Sequence, residues 1–268
     1  MPDLLQYQFM QNAYAAGTLV ALLAGVAGYF IVVRGQSFIA HTLSQIGFPG
    51  AAAAALLHIS PVAGLLAFCG AGAVAIGVAG RDLDAGDRRE SAAVGSILAL
   101  ALGLGILFVR LYGGSAQSVY AFLFGTILGI TQRDVLLTLV VVLAGIGALA
   151  AIGRPLLFAS VDPVVAEARG VPVRSLSFAF LLVVALSVAV TVQIVGTLLI
   201  FALLVAPPAA ALQLTAHPAF GVIASVALSV AVTWAGLALA YYTDFPVGFY
   251  ITTLAFGVYA GARLRRAL

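Results

Sequence analysis

The chain has 268 residues, 63% of them hydrophobic and only 8% charged, against about 25% charged in soluble domains, and its mean hydropathy is +1.18. Its main solvent must be lipid, which excludes a soluble enzyme or signalling domain and leaves one membrane domain over residues 1–268. The net charge of +3 rests on 12 basic residues, all arginine and scattered singly or in small groups; the clustered phosphate-binding face of a nucleic-acid partner is therefore excluded too.

Charges mark where the helices end, because one at the bilayer centre costs about 2.5 to 3.5 kcal/mol. Charge-free intervals, at roughly 20 residues per crossing, therefore count spans. No Lys or Arg precedes Arg34. The first apolar run thus lacks the basic start of a signal peptide and reads as a retained span near 13–33. Residues 35–80 hold two spans divided near His58 to Pro61, and single spans follow near 91–109 and 135–153. The uncharged interval 175–243 is sized for three, and a last span runs over 246–262. That predicts an all-α polytopic bundle of nine spans, or eight if a short one merges. The stretch Val119 to Ile130 is apolar but too short to cross. It reads as a re-entrant half-helix, which survives at membrane depth only where protein or a water-filled cavity satisfies its backbone.

With nine spans, Arg34 and the clusters Arg81/Arg88/Arg89, Arg154/Arg169/Arg174 and Arg263/Arg265/Arg266 fall on one side. The positive-inside rule makes that side cytoplasmic, with the C-terminus inside and the N-terminus outside; Arg110 and Arg133 are the exceptions. Gly125/Gly129 and Gly257/Gly261 have the GxxxG spacing that lets helices approach closely in lipid. Pro49, Pro61 and Pro207/Pro208 interrupt apolar runs, as kinks or as broken helices. Cys69, the single cysteine, sits in an apolar run and reads as inert packing.

Several functions lose support from what is missing. A secondary transporter driven by protons or sodium usually carries a buried carboxylate. Here all nine acidic residues, Asp3, Asp82, Asp84, Asp87, Glu90, Asp134, Asp162, Glu167 and Asp244, fall in predicted loops or at span ends. A phosphate-binding P-loop needs a lysine, and the sequence has none. The chain is therefore not an ATPase, and any ATP must be hydrolysed by another subunit. Neither HExxH nor GxSxG occurs, so an intramembrane hydrolase also lacks its catalytic set.

The longest predicted cytoplasmic connection, 154–174, contains a short helix with both ends written in sequence. Asp162 suits the N-cap, Pro163 the first helical position and Gly170 the left-handed C-terminal cap. A body of about two turns is marginal alone in water and needs a docking surface. That surface is either the membrane and the chain's own bundle or a soluble ATPase whose closure moves the bundle. In the second case Glu167 and Arg169 offer polar contacts, and Ala166 and Ala168 permit close approach.

Five strings then occur in order: Gly35-QSFIAHTLSQIGFPG, YAFLFGTILGIT at 120–131, FASVDPVVAEARGVPV at 158–173, VQIVGTLLIFALLVAPPAAA at 192–211 and YYTDFP at 241–246. Together they resemble the permease subunits of bacterial ABC importers for zinc, manganese and related divalent metals. The resemblance implies a homodimeric permease of the vitamin B12 importer type in the bacterial plasma membrane. It would have two ATPase subunits beneath and an extracytoplasmic metal-binding protein above, with no permanently bound cofactor. It also assigns the segment from Asp162 to Gly170 to the ATPase contact.

Many such permeases carry Asp and His four residues apart on the second span, projecting into the path. Aligned through Ser37, Leu43, Ser44, Pro49 and Gly50, those positions are His41 and Gln45 here. The i, i+4 spacing keeps both side chains on one helix face. Imidazole is a good zinc ligand, whereas the hard, charged oxygen that manganese favours is gone, so zinc is expected ahead of manganese. The implied path is lined partly by His41, Ser44 and Gln45; the other reading of His41 is a polar residue hydrogen-bonded between helices. His58 and His217 lie at predicted interfaces and need no special role. The remaining functional alternatives are an importer of a metal chelate or other small solute, and an ion-coupled secondary transporter.

Overall fold

The structure, a computed structural model, describes residues 6–79, 88–113, 129–243 and 245–267. Among these the elements are helices: α1 (Gln8–Val33), α2 (Ser37–Leu56), α3 (Pro61–Ala79), α4 (Arg88–Tyr112), α5 (Gln132–Val161), the short α6 (Pro163–Ala168), α7 (Val173–Val195), α8 (Thr197–Leu214), α9 (Pro218–Tyr242) and α10 (Val247–Ala267). Each predicted span coincides with one long helix. Seven of the described helices are long and apolar enough to cross a membrane. The other two long ones are α8 and α2, which carries His41 and Gln45. The predicted half-helix lies outside the described residues up to position 128, as does the arginine at 81; Ile130, at the edge of that gap, is buried and its carbonyl accepts from Asn12 Nδ2 at 2.9 Å.

Helix α1 is the axis, packed against α5, α7, α8 and α9. Small residues let it do so. Gly25 faces the Val226 backbone, and Gly28 lies against the Leu204 carbonyl and the Pro208 ring. Proline at 208 has no N–H for the carbonyl four residues back. The freed Leu204 carbonyl is therefore the one that abuts Gly28, where a Cβ would collide. Ser225 Oγ donates to the Gly25 carbonyl at 2.7 Å, a cross-helix bond between α9 and α1. In lipid such packing and bonding replace the hydrophobic effect as the glue between helices. Gly50 on α2 and Gly64 on α3 give a second close crossing. By contrast, a Cβ on Gly257 or Gly261 would meet nothing within 4 Å, so that GxxxG pair makes no close crossing among the described residues.

The prolines do not break their helices: Pro49 stays inside α2, Pro155 inside α5, and Pro207 and Pro208 inside α8. The break falls at Gly196, the single residue between α7 and α8, with φ +88°. Both Gly196 and Thr197 are buried. The 18 residues of α8 rise about 27 Å, against about 39 Å for the 26 of α1. Helix α8 therefore starts inside the bundle. Helix α5 also differs from expectation: its 30 residues continue through Arg154 to Val161, where a span ending at 153 followed by a loop was expected. Charge ends the membrane-crossing part of a helix; it does not end the helix.

Candidate functional site

On α2, every residue from Ile39 to Ala54 is buried except two, His41 and Gln45. They stand at the i, i+4 spacing read from sequence, and both are half-buried. The ring of His41 meets Phe201 of α8 edge-on, with centroids 4.7 Å apart, and its Nδ1 is buried without a hydrogen-bond partner. The hydroxyls of Thr42 on α2 and Thr197 at the start of α8 are likewise buried and unpartnered. Pro49 cannot donate to the carbonyl of Gln45, which leaves that oxygen without its usual helical bond. Across α2 and α8 the observed contact is that of His41 with Phe201, and the unpartnered Thr42 and Thr197 hydroxyls lie on the same two helices.

Ser44 departs from expectation. It is fully buried, and its Oγ donates to the His41 carbonyl at 2.7 Å, so it braces the helix and does not share the partial exposure of His41 and Gln45. His58 sits in the α2–α3 turn with φ +54°, and His217 forms the α9 N-cap against Phe220. Both are exposed. Among the described residues no group of three or more His, Cys, Asp or Glu gathers as a metal cage. Cys69 is buried, with its thiol near the Leu43 carbonyl.

The short helix α6 has the predicted ends. Asp162 Oδ1 accepts from the Val165 N–H at 2.9 Å, and Pro163 is the first helical residue. At the other end Gly170, with φ +83°, donates to the Glu167 carbonyl at 2.9 Å, and Val171 donates to the Ala166 carbonyl at 3.0 Å. Those two bonds form a Schellman motif. The helix is six residues long, with Arg169 as its C-cap. Ala166 is fully buried, so it seats α6 on the bundle and offers no outer contact. Glu167, Ala168 and Arg169 are exposed. Sequence reading missed three apolar neighbours: Val161, Val164 and Val165 are 77%, 76% and 43% exposed.

A family model described as the ABC 3 transport family matches residues 6–265, nearly the whole chain. The chain belongs to the ABC 3 transport family. It is a membrane transport subunit of ABC 3 type, with the ATPase in a separate subunit. The ABC 3 chain is 30% identical over 233 residues to the manganese transport system membrane protein MntC of Halalkalibacterium halodurans, covering 84% of this chain and 79% of that protein. Its fold matches the structure of PsaBC from Streptococcus pneumoniae in complex with Fab, with a TM-score of 0.85 and 26% identity over 97% of this chain and 92% of that one. An inward-facing metal-chelate type ABC transporter shares the fold at a TM-score of 0.76, with 14% identity over 98% and 90% of the two chains.

Thr42, Thr197, Gly196 and Phe201 escaped the sequence reading. Nothing in an uncharged, evenly apolar interval marks one glycine as a helix break, or one phenylalanine as the partner of an imidazole.

Proposed function

We propose that this chain forms, as a homodimer, the path of an ATP-driven importer for a divalent transition metal, with manganese as the first reading and zinc as the second. The half-buried pair His41 and Gln45, on an otherwise buried stretch of α2, is the observation that carries it. An imidazole and an amide turned toward lipid would be unsatisfied, whereas facing a second copy they line a polar seam. Manganese is supported by the names of relatives such as MntC and by the oxygens of Thr42, Thr197 and the Gln45 backbone, which suit a hard ion. Zinc is supported by the imidazole that stands where a carboxylate is usual.

The arginine-rich end, carrying α6, lies in the cytoplasm, and an extracytoplasmic binding protein delivers the ion at the other end of a plasma-membrane complex. Glu167, Ala168, Arg169 and the exposed Val161, Val164 and Val165 meet the ATPase, while Asp162, Pro163 and Gly170 hold the shape that presents them. Two weak ligands per subunit suit a site that must release its ion within one turnover. Elemental analysis of cells with and without the chain tests the reading. Manganese or zinc uptake that depends on the chain, and falls in His41→Ala, is expected; uptake unchanged in both comparisons would overturn it.

A further inference from the structure

Arg34 sits in the corner between α1 and α2, where its apparent task is to mark the basic end. Its guanidinium does more. Nη2 donates to Ser177 Oγ at 2.7 Å, Nη1 to Ser160 Oγ at 3.2 Å and Nε to Gln36 Oε1 at 3.2 Å. The guanidinium carbon also lies 5.6 Å from the centroid of the Phe180 ring. Ser160 belongs to the last turn of α5 and Ser177 to the first turns of α7. Those are the two helix ends between which α6 is slung.

The fork therefore joins three things: the helix entering α6, the helix leaving it, and the corner from which α2 departs. Gln36 is the N-cap of α2, and His41 follows within its first two turns. The serine on α5 is itself fixed, since Ser160 Oγ donates to the Leu156 carbonyl at 2.5 Å. Charge-assisted bonds are about twice as strong as neutral ones, and a planar guanidinium holds two acceptors at a set spacing where an ammonium cannot. A shift of α6 that carries the ends of α5 and α7 must move this corner or break those bonds.

We infer that Arg34 is the positioning residue that passes displacement of α6 into α2, and so couples ATP hydrolysis to opening at His41 and Gln45. This rests on the proposed docking of the ATPase at α6. A residue that only anchors the bundle would raise stability and leave the stoichiometry of transport alone. A transmission residue sets how much ion moves per ATP.

The test uses the full complex of this chain with its ATPase subunit and binding protein in proteoliposomes, with manganese(II) as the probe, and reads hydrolysis and accumulation together. Arg34→Ala is expected to keep hydrolysing ATP while metal moved per ATP falls roughly five-fold or more, the scale of an ordinary coupling energy. Arg34→Lys, with one point charge for two serines, should fall between, and Ser177→Ala, which keeps the arginine, should show a smaller loss in the same direction. In parallel, Glu167→Cys is cross-linked to cysteines on the ATPase; the chain's own cysteine, Cys69, is buried and does not interfere.

A cross-link together with an unchanged ratio in Arg34→Ala overturns the relay and spares the docking. No cross-link and an unchanged ratio overturn both. Hydrolysis and transport falling in proportion, in Ser177→Ala as in Arg34→Ala, would make Arg34 a structural post and also overturn the relay.

Discussion

The imidazole of His41 on α2 and the ring of Phe201 on α8 meet edge-on at 66°, with centroids 4.7 Å apart. An aromatic pair of this kind is worth about 0.5 to 1.5 kcal/mol beyond burial, enough to hold the imidazole in one orientation while its Nδ1 stays free. Phe201→Ala keeps the proposed ligand and removes its brace. Its expected effect is a several-fold rise in the metal concentration for half-maximal uptake, about five-fold for 1 kcal/mol. His41→Ala removes the ligand and should lower uptake itself. Initial uptake rates over a range of manganese concentrations separate the two.

On the proposed reading, the same position sets the balance between ions. His41→Asp puts a hard, charged oxygen where the imidazole stands, so manganese uptake should rise relative to zinc. Competition between the two ions, read by elemental analysis, checks it; a ratio that moves toward zinc would count against His41 as a ligand.

Gly28 supports a prediction about stability. The carbonyl of Leu204 that Pro208 leaves unbonded lies where a side chain on Gly28 would go. Gly28→Val should therefore overpack the α1–α8 crossing and destabilise by about 1 to 3 kcal/mol. Gly103→Ala, where a Cβ meets nothing within 4 Å, should leave the melting temperature unchanged or raise it. Thermal unfolding of the purified chain in detergent compares them.

Charge-free intervals, divided at about 20 residues per crossing, predicted the number of long helices, because an arginine or aspartate at the bilayer centre is costly enough to mark where spans end. The caps of α6 were legible for a local reason: Asp162, Pro163 and Gly170 each suit one backbone conformation. Helix burial was not legible. Ala166 and Ala168 look alike in sequence, yet the first is buried and the second exposed, and Ser44 looks as suited to a path as Gln45 until its hydroxyl is found bonded to the His41 carbonyl. Which face of an almost uniformly apolar helix turns inward is decided by its neighbours, and hydropathy carries little of that. The fork of Arg34 was hidden for the same reason, since its partners lie 126 and 143 residues away.

Gly196 interrupts α7 and α8 with φ +88° and ψ 157°, a conformation open to glycine and strained for other residues. Gly196→Ala should cost about 1 to 3 kcal/mol and shift Thr197 and Phe201 together. The expected outcome is membrane insertion at near-normal levels with uptake reduced several-fold, checked by immunoblot and metal accumulation in the same cells.

At α6 the cap and the outer face should separate experimentally. Asp162→Ala removes the bond to Val165 and should loosen the helix by about 1 kcal/mol, seen as faster amide exchange from Val164 to Ala168. Val164→Asp leaves the cap intact but puts a charge on an exposed apolar surface. Co-purification of the ATPase should drop sharply with Val164→Asp and only modestly with Asp162→Ala.

The central claim is ATP-driven passage of a divalent metal past His41 and Gln45. Reconstituting the chain with its ATPase and binding protein in proteoliposomes, and following manganese accumulation with and without ATP, tests it most directly. The account predicts accumulation that requires ATP hydrolysis and falls in the His41→Ala, Gln45→Ala double variant. Accumulation driven by a proton or sodium gradient without ATP, or an unchanged rate in that variant, would contradict it.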